Sequence, residues 1–589
     1  MTVDELSHIS PDAKANVIAW LEGEYDLETK KAIRQMAASD PEGLENAFYT
    51  HLSFGTGGLR GLMGVGPNRM NIYTIRQTTK GLANYLKAQF PSQPLRVVIG
   101  FDSRTNSQLF ALEAARVLAN ASIEACLFKQ LRPTPMVSFA CRFLQANSAI
   151  MITASHNPPE YNGYKVYWAD GGQVLPPHDG GILHEVELVR KAGKSVGVSP
   201  EVDPYIRLLG PELDEAYLNA LRPLQLWPGE DKSSVSVLYS PLHGTGSTLV
   251  PQALRQSSVT HLGFVKEQMV PDGSFPTTRF PNPEEEAALR LGIDQMVREN
   301  YDIFLATDPD ADRLGVVVNH HGASHRLTGN HTASLLAEYI LRQLHSRGAL
   351  PNQPVVIKSF VTTPLVKKIA SKWGATCIDV LPGFKYIAQK MWQFEQAPQG
   401  PQFVFGCEES YGYLHGTYAR DKDGVICSTL MSEIAWHLKT RNKTLIDALQ
   451  ELWETYGYFD ESVTSCAFGE TKAGRDRMKG CMEFLHKNPP IRFADFSCIA
   501  TEDMLTGQFS GDSVHRIGKE LPPSDVMIFT LEDLSQIIIR PSGTEPKIKL
   551  YFQMTTHNGR ALADVMQHTK EKAELLRSFT TKLLLGEPV

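Results

Sequence analysis

Short β-branched runs alternate with longer helical stretches from about residue 95 onwards, and this alternation constrains the fold more than any other feature. The runs span residues 95–101, 149–153, 235–239, 302–306, 354–359 and 402–405. Each run is followed at once by a polar loop that contains Gly or Pro. Such alternation is typical of α/β units with parallel strands. Because ligands in open α/β sheets bind outside the carboxyl ends of the strands, we expect the chemistry in these loops.

The sequence patterns at the two ends of the chain differ from this alternation of strands and helices. Residues 11–50 are rich in Ala, Glu, Leu and Lys, with apolar residues at helical spacing, which predicts helices. Near the C-terminus, strand-like runs at 535–540 and 548–552 flank a Pro-Ser-Gly-Thr-Glu-Pro turn before a final Lys/Leu-rich helix, which suggests a small α+β domain. A chain of 589 residues is too long for one core, so we expect three or four domains.

Composition excludes several classes of protein. The formal net charge is -7 and no long Lys/Arg run is present, which disfavours a nucleic-acid partner. No stretch approaches the roughly 18 apolar residues of a spanning helix, and the N-terminus is acidic where a signal peptide is basic. The eight cysteines are scattered without a Cys-x-x-Cys pair, which favours a reducing compartment. We therefore expect a cytoplasmic protein with small-molecule substrates and no membrane partner.

A serine at the end of the second run is the first candidate for catalysis. Residues 152–161 read Ile-Thr-Ala-Ser-His-Asn-Pro-Pro-Glu-Tyr, with Ser155 beside His156. The Gly-x-Ser-x-Gly elbow of serine hydrolases is absent, because Thr153 and Asn157 stand where it needs glycines. The Asn-Pro-Pro segment holds the hydroxyl clear of any helix. Either a nucleophile or an ordinary exposed turn residue fits this segment.

Three alternating aspartates follow the fourth run, at Asp308, Asp310 and Asp312. Their carboxylates can converge on one ion, and oxygen-only ligands suit Mg²⁺. An EF-hand is excluded because its sixth position is Arg313 instead of Gly and its twelfth is Asn319 instead of Glu. A solvated acidic turn would not normally sit directly behind a buried strand. A hydroxyl and a divalent cation are what phosphoryl transfer needs.

Two further loops combine glycine with arginine. Residues 55–61 fit neither a Walker loop nor a dinucleotide fingerprint, so a structural turn that carries Arg60 is the simpler account. Residues 540–547 combine Arg540 with two hydroxyls around a glycine turn, an arrangement that binds phosphate in other proteins and also occurs in plain hairpins.

The function of two acidic loops cannot be decided from the spacing of their residues alone. Residues 406–412 contain Glu408 and Ser410, which could bind sugar hydroxyls or decorate the surface. Residues 420–424 place Lys422 among acids, a pattern that ordinarily indicates a solvated charge cluster.

Taken together, these motifs resemble the alpha-D-phosphohexomutase superfamily, in order and approximate spacing, from about residue 54 to 552. The resemblance implies four domains around a central cleft: three α/β mixed-sheet domains and a smaller C-terminal α+β domain. Breaks in the pattern near residues 227–230, 320–329 and 456–458 place these domains at 1–225, 226–325, 326–455 and 456–589.

The resemblance also implies roles by position. Ser155 matches the serine that carries phosphate, and it shares Mg²⁺ with Asp308, Asp310 and Asp312 through a phosphoserine oxygen. The further catalytic candidates are His156, Arg60, Arg313, Lys165 and Lys422. The substrate-binding candidates are Lys385, Glu408, Ser410, Arg540, Ser542, Gly543 and Thr544. Lys165 and Lys422 match lysines proposed for proton transfer, and a general base would need a pKa well below its ordinary value.

The activity implied is a reversible transfer between hexose 1-phosphate and hexose 6-phosphate, with Mg²⁺ and with glucose 1,6-bisphosphate as activator and intermediate. Residues 161–168 and 177–179 resemble the longer branch of the superfamily, which also contains enzymes acting on pentose phosphates. Ser410 favours glucose phosphate, while mannose and pentose phosphates stay open as substrates. A sugar phosphatase and a non-catalytic sugar-phosphate sensor are functions that the sequence also leaves open. We expect a monomer or a homodimer.

Overall fold

A computed structural model of the chain describes residues 6, 8–52, 58–201, 203–397, 399–469, 472–542, 546–556 and 561–586. The chain divides into two compact units. Unit 1 comprises Met1–Arg326, Ala388–Gln393 and Gly412–Trp436, and unit 2 comprises Leu327–Ile387, Phe394–Tyr411 and His437–Val589. Among the described residues, no helix has the length and apolar character that crossing a membrane requires.

Three helices precede the first sheet: α1 Pro11–Glu22, α2 Leu27–Ser39 and α3 Pro41–Phe48. Each begins after a residue whose side chain accepts a main-chain N–H of the first turn, which satisfies a donor that the helix itself cannot pair. Trp20 and Phe48 meet edge to face in the core between these helices. The helices predicted for residues 11–50 are confirmed.

The first sheet belongs to unit 1 and has the strand order β1-β5-β4-β2-β3-β6. Its elements are β1 Gly58–Leu62, α4 Ile72–Gln89, β2 Arg96–Phe101, α5 Ser107–Asn120, β3 Glu124–Phe128, α6 Thr134–Phe143, β4 Ser148–Ile152, β5 Tyr161–Trp168, α7 His178–Lys191 and β6 Ile206–Leu209. Strands β2, β3, β4 and β6 are parallel to one another where they pair, whereas β5 is antiparallel to both β4 and β1. Buried residues such as Val97 and Ile150 explain why the runs at 95–101 and 149–153 form central strands.

The second sheet also belongs to unit 1 and has the order β11-β10-β9-β7-β8. Its elements are α8 Glu212–Leu221, the 3₁₀ turn Arg222–Leu224, β7 Ser236–Ser240, α9 Gly246–Gln256, β8 His261–Phe264, α10 Lys266–Met269, α11 Glu286–Glu299, β9 Ile303–Thr307, β10 Leu314–His320 and β11 Ala323–Arg326. All five residues of β9 are buried, and the aspartate loop begins directly after it. Strand β10 returns antiparallel to β9, so the loop is a short connection between neighbouring strands.

The next stretch of chain continues the alternation of strands and helices. Its elements are α12 Gly329–Ser346, β12 Pro354–Ser359, α13 Leu365–Lys372, β13 Thr376–Val380, α14 Phe384–Glu395, β14 Gln402–Glu408, β15 Gly412–His415, α15 Gly424–Lys439 and α16 Leu445–Tyr456. Within unit 2, β12 pairs in parallel with both β13 and β14. Glu408 therefore lies at the carboxyl end of a parallel strand, where a binding loop is expected.

The C-terminal part of unit 2 forms an antiparallel sheet of order β16-β22-β21-β20-β18-β17, with β19 paired to β18. Its elements are β16 Tyr458–Ala467, α17 Lys472–Lys487, β17 Arg492–Phe493, β18 Phe496–Asp503, β19 Phe509–Ser510, the 3₁₀ turns Ser513–His515 and Gly518–Glu520, β20 Met527–Leu531, β21 Gln536–Pro541, β22 Lys547–Thr556 and α18 Leu562–Leu585. Leu485 of α17 and Leu576 of α18 share one core with Phe529 and Ile537 of the sheet. The prediction of mixed-sheet α/β domains and a smaller α+β domain is confirmed.

Candidate active site

Ser155 occupies the loop that joins β4 to β5 and is buried, with 3% of its surface exposed. Its backbone has φ +52, a left-handed conformation that costs a non-glycine residue about 1–3 kcal/mol. The hydroxyl donates to Asp308 Oδ2 at 2.8 Å and lies 3.1 Å from Nδ1 of His156. The interpretation as an exposed turn residue is therefore wrong, because the loop folds inward onto the aspartates of the second sheet.

Asp308, Asp310 and Asp312 form a buried cluster, the aspartate triad, in which one carboxylate oxygen of each lies within 4.8 Å of the others. Ala311, at φ +52, curls the loop, and its N–H donates to the carbonyl of Asp308 at 2.9 Å. Burial, reinforced by the charges of Asp310 and Asp312, raises the pKa of Asp308 well above its ordinary value. A solvated acidic turn is therefore the wrong interpretation of this loop.

The triad fits a divalent cation on its own chemistry. Oδ1 of Asp310 and Oδ1 of Asp312 are buried and accept no hydrogen bond within the described part of the chain. Buried carboxylate oxygens without a partner are costly, and a hard cation with oxygen ligands removes that cost. The three aspartates are therefore a group that could bind a metal ion.

Two lysines contact the Oδ2 atoms of Asp310 and Asp312. Lys165 of β5 bonds Asp310 Oδ2 at 2.7 Å and Asp312 Oδ2 at 3.3 Å, and Lys422 bonds the same Asp312 oxygen at 3.1 Å. Burial alone would lower the pKa of Lys165, but the two carboxylates outweigh it, so the pKa is raised. The expected lowering of this pKa is thus wrong for Lys165 in the arrangement seen here.

The segment that carries Lys422 is buried, which corrects its interpretation as a solvated charge cluster. Asp421 Oδ1 lies 3.1 Å from Lys422 Nζ, while its Oδ2 accepts a hydrogen bond from the hydroxyl of Tyr167 at 2.7 Å. Gly412 leaves room for this lysine, because a Cβ there would lie 2.0 Å from Lys422 Cδ and would displace the side chain. Lys422 is therefore held between an acid next to it in sequence and an acid of the triad.

Neighbouring elements hold the aspartate loop in place. Thr134, at the start of α6, donates its hydroxyl to Asp310 Oδ2 and its N–H to the Asp310 carbonyl, both at 2.8 Å. Gly244 lies against Pro309, and a Cβ at this glycine would be 2.3 Å from Pro309 Cα. Contacts from the first sheet and from the loop after β7 thus determine where the carboxylates point.

Two arginines border this site. Arg60 lies on β1 opposite Gly163 of β5, and its Nη1 donates to Asn157 Oδ1 at 2.9 Å. The predicted turn over residues 55–61 is therefore wrong for residues 58–61, which are in a strand, while 53–57 lie outside the described residues. Arg313 donates its N–H to Asp308 Oδ1 at 3.0 Å and forms an ion pair with Glu284 at 2.5 Å.

In unit 2, the two adjacent glutamates of the acidic loop have different surroundings. Glu408 accepts the N–H of Gly383 at 2.7 Å, which joins it to the loop before Lys385. Glu409 instead accepts the hydroxyl of Ser359 at 2.9 Å. Glu409 thus serves the protein's own structure, whereas Glu408 contacts the loop that contains Gly383.

The predicted phosphate loop joins β21 to β22. Arg540 hydrogen bonds with the buried Tyr551, and the N–H of Ser542 donates to the carbonyl of Lys547 at 2.8 Å. Burial together with Glu409 raises the pKa of Tyr551, while Arg540 opposes that rise. Gly543 and Thr544 lie outside the described residues. The hairpin interpretation and phosphate binding are compatible here.

Sequence reasoning missed several buried polar residues that contact these loops: Asp102, Arg104, Thr134, Asp421 and Tyr551. Asp421 carried a signal, because it is one of the acids around Lys422 in residues 420–424. The polar segment with Asp102 and Arg104 directly follows the run at 95–101, the kind of loop in which chemistry is expected.

Three sequence families match this chain, all described as phosphoglucomutase/phosphomannomutase alpha/beta/alpha domains. Domain I matches residues 51–192, domain II residues 215–322 and domain III residues 328–456. With the sheets and the site described above, these matches identify the chain as a phosphohexomutase enzyme. It belongs to the phosphoglucomutase/phosphomannomutase family.

Curated relatives agree with this assignment, and two solved structures share the fold. The phosphoglucomutases of Staphylococcus haemolyticus and Staphylococcus aureus are each 34% identical, over 87% and 92% of this chain and 92% and 95% of their own length. The fold resembles a family protein of Burkholderia thailandensis (TM-score 0.63, 17% identity, 90% of this chain and 97% of that one). It also resembles parafusin, a phosphoglucomutase of Paramecium (TM-score 0.59, 16% identity, 90% and 96%). The family resemblance and the enzyme class predicted from the sequence are confirmed.

Proposed function

We propose that this enzyme interconverts α-D-glucose 1-phosphate and glucose 6-phosphate through a phosphoserine at position 155 and glucose 1,6-bisphosphate. The observation that carries the proposal is the hydrogen bond of 2.8 Å from the Ser155 hydroxyl to Asp308 of the buried triad. The staphylococcal relatives, which are phosphoglucomutases, support this choice of substrate. We further propose a cytoplasmic location, a monomer or homodimer, and the four-domain division predicted from the sequence.

In the proposed reaction, the phosphoryl group leaves Oγ of phosphorylated Ser155 and bonds to the free hydroxyl oxygen of a glucose monophosphate. The proton of that hydroxyl passes to Lys422 or to Lys165, both of which contact the triad, and the departing Ser155 Oγ takes up a proton in turn. Lys165 can act as this base only when a cation bound by the triad offsets the carboxylates that raise its pKa. The resulting bisphosphate turns end over end, and its other phosphoryl group returns to Ser155 Oγ. When bound by the triad, Mg²⁺ supplies charge neutralisation at the transferring group.

The residues around the triad have positioning and electrostatic roles in this proposal. Arg60 and His156 flank the nucleophile, and their positive or hydrogen-bonding atoms can compensate the charge on the phosphoryl group. Arg313 holds Asp308 by its main-chain N–H. In unit 2, we assign the sugar hydroxyls to Glu408 and Ser410. The non-reacting end of the substrate is assigned to Lys385, Arg540, Ser542, Gly543 and Thr544.

Arg540→Ala should raise KM and lower kcat together. A guanidinium that binds the non-reacting phosphate contributes a charge-assisted hydrogen bond. The same contact positions the substrate so that its reacting hydroxyl is correctly oriented. Loss of that contact is expected to reduce kcat/KM about 10- to 100-fold, measured by steady-state kinetics with glucose 1-phosphate. Arg475→Ala, at an exposed position on α17, is the matched control. Wild-type values of both constants in Arg540→Ala would mean that the loop is only structural.

Substrate choice should follow the hydroxyls that Glu408 and Ser410 can bond. A pyranose presents its 3- and 4-hydroxyls side by side, whichever end is reacting. A furanose phosphate would leave one of the two side chains partly unpaired, at a cost of about 1–3 kcal/mol. We expect kcat/KM for glucose 1-phosphate to be modestly higher than kcat/KM for mannose 1-phosphate. For ribose 1-phosphate, kcat/KM should be at least about tenfold lower than for glucose 1-phosphate.

Glu408→Gln and Glu409→Gln make a matched pair for this prediction. Glu408→Gln should reduce the ratio of kcat/KM for glucose 1-phosphate to kcat/KM for ribose 1-phosphate, because it replaces the carboxylate that we assign to the sugar hydroxyls. The second should leave that ratio intact, because Glu409 bonds Ser359 of the protein itself. A wild-type preference for the pentose phosphate would overturn the assignment of glucose.

A side-by-side assay of glucose, mannose, glucosamine and ribose phosphates tests the proposed function directly. Formation of the isomeric phosphate supports a mutase. Release of inorganic phosphate in place of the isomer would identify a phosphatase that lets water attack the phosphoserine. Binding without turnover in the presence of Mg²⁺ and the bisphosphate would identify a sensor.

A further inference from the structure

A buried ion pair lies directly beneath the Ser155 loop, in the segment that follows β2. The side chains of Asp102 and Arg104 are fully buried, and Arg104 Nε lies 3.4 Å from Asp102 Oδ2. Buried charges require partners for every donor and acceptor, so the rest of their bonding shows what the pair holds in place. Those bonds converge on the loop that carries the nucleophile.

Arg104 binds the carbonyl side of the loop. Its Nη1 donates to the carbonyls of Pro158, at 2.8 Å, and Tyr161, at 3.1 Å. Its Nη2 donates to the carbonyl of Ser155, at 2.6 Å, and also to that of Asn157. One guanidinium thus bonds three carbonyls of the loop and the carbonyl of the first residue of β5. The rigid planar fork of arginine suits this task, whereas the ammonium of lysine is a single point with three rotatable donors.

Asp102 reaches the opposite side of Ser155 through Thr153. The Thr153 hydroxyl donates to Asp102 Oδ2 at 2.6 Å, and its oxygen accepts the N–H of Ser155 at 2.8 Å. Because the hydroxyl proton is directed to the carboxylate, the oxygen is left free to accept. The other carboxylate oxygen accepts the hydroxyl of Ser107 at 2.7 Å. Ser155 is therefore held at its N–H through Thr153 and at its C=O by Arg104.

This double attachment accounts for an otherwise costly conformation. Ser155 is left-handed without being glycine, and such a residue persists only when its surroundings over-determine it. We propose that Asp102, Arg104 and Thr153 form a positioning network that keeps Ser155 left-handed, so that its Oγ faces the aspartate triad. The inference rests on the proposed role of Ser155. Because the network bonds the backbone of the loop, it serves the serine with or without its phosphoryl group.

Thr153→Val and Thr153→Ser form the first test. Valine has nearly the shape of threonine but lacks the hydroxyl, whereas serine keeps it. Thr153→Val is expected to lower kcat about 10- to 100-fold with little change in KM, because the network contacts the nucleophile's backbone and not the sugar. Thr153→Ser should recover most of that loss. Single-turnover transfer from the phosphorylated enzyme to glucose 6-phosphate should slow in the same order.

Arg104→Lys is the second test, with Arg116→Lys as its control. Arg116 lies on α5, which packs with the first sheet. Its Nε donates to the carbonyl of Ser199 at 2.6 Å and makes no contact with the Ser155 loop in the described structure. Arg104→Lys should lower kcat with KM preserved, and Arg116→Lys should leave both unchanged. Thermal unfolding shows whether each variant is folded, and if Arg104→Lys is not, the threonine pair decides.

The outcomes separate this inference from the function on which it rests. Full turnover by Ser155→Ala would overturn the proposed reaction. If Ser155→Ala is inactive but Thr153→Val matches the wild type in kcat and in single-turnover rate, the positioning network alone is refuted. A loss in Thr153→Val that Thr153→Ser does not recover would also refute it, because the missing hydroxyl would not be the cause.

Discussion

Ser155→Ala should abolish turnover, with kcat reduced by at least about 10⁴-fold, because the residue that carries the phosphoryl group between the two half-reactions is gone. Binding of glucose 6-phosphate should survive, since the assigned sugar contacts belong to other residues. Intact mass and peptide mapping of the active wild type should place about 80 Da on the peptide that contains this serine. The variant should lack this mass.

Ser233→Ala is the control for this substitution. Ser233 lies in an exposed turn, where its hydroxyl bonds only the nearby Asp231 in the described structure. Its replacement should change neither kcat nor the phosphorylated fraction. A fully active Ser155→Ala enzyme would sink the phosphoserine mechanism, and phosphate found on a different serine would move the nucleophile there.

Removal of divalent cations is expected to have the second largest effect. Chelation should eliminate mutase activity, and added Mg²⁺ should restore it, because two buried carboxylate oxygens of the triad have no protein partner among the described residues. Asp310→Asn should lower kcat by about 10³-fold or more, since it replaces a charged ligand by a weaker neutral one and removes the charge that pairs with Lys165 at 2.7 Å.

A binding measurement separates loss of metal from loss of fold. Mg²⁺ should raise the thermal unfolding temperature of the wild type, and this shift should disappear in Asp310→Asn. Asp294→Asn, at an exposed position on α11, should retain both activity and the shift. Undiminished turnover in a chelated sample shown to be free of metal would contradict the assignment of the triad.

Each of the eight strand-like runs named from the sequence forms a strand, although these eight are a minority of the strands in the described structure. The runs at 302–306 and 354–359 became β9 and β12 almost without change, because continuous apolar residues have one stable place, the interior of a covered sheet. The antiparallel return of β5 beside β4 was not predicted. A short loop permits such a return, while the alternation of strands and helices does not reveal it.

The two acidic loops show where sequence reasoning reached its limit. Glu408 and Glu409 are identical in chemistry and adjacent in the chain, yet one faces the Gly383 loop and the other bonds Ser359. Lys422 looks solvated from its neighbours in sequence and is buried in the structure. Burial depends on which distant segments cover a loop, and composition within the loop carries little information about that.

By itself, the sequence was enough to predict the family. It also predicted that Ser155 and the three aspartates follow directly after strands, because such features depend on residue type and short spacing. Only the tertiary structure decided their environment. Thr134 reaches Asp310 across 176 positions, and Arg104 reaches Ser155 across 51. The second contact arises because the parallel strands β2 and β4 bring their carboxyl ends to one edge of a sheet, whatever the length of chain between them. The first contact joins segments that belong to two different sheets of unit 1. The ion pairs of the triad with its two lysines and the conformation of Ser155 depend on such contacts between segments that are distant in the sequence.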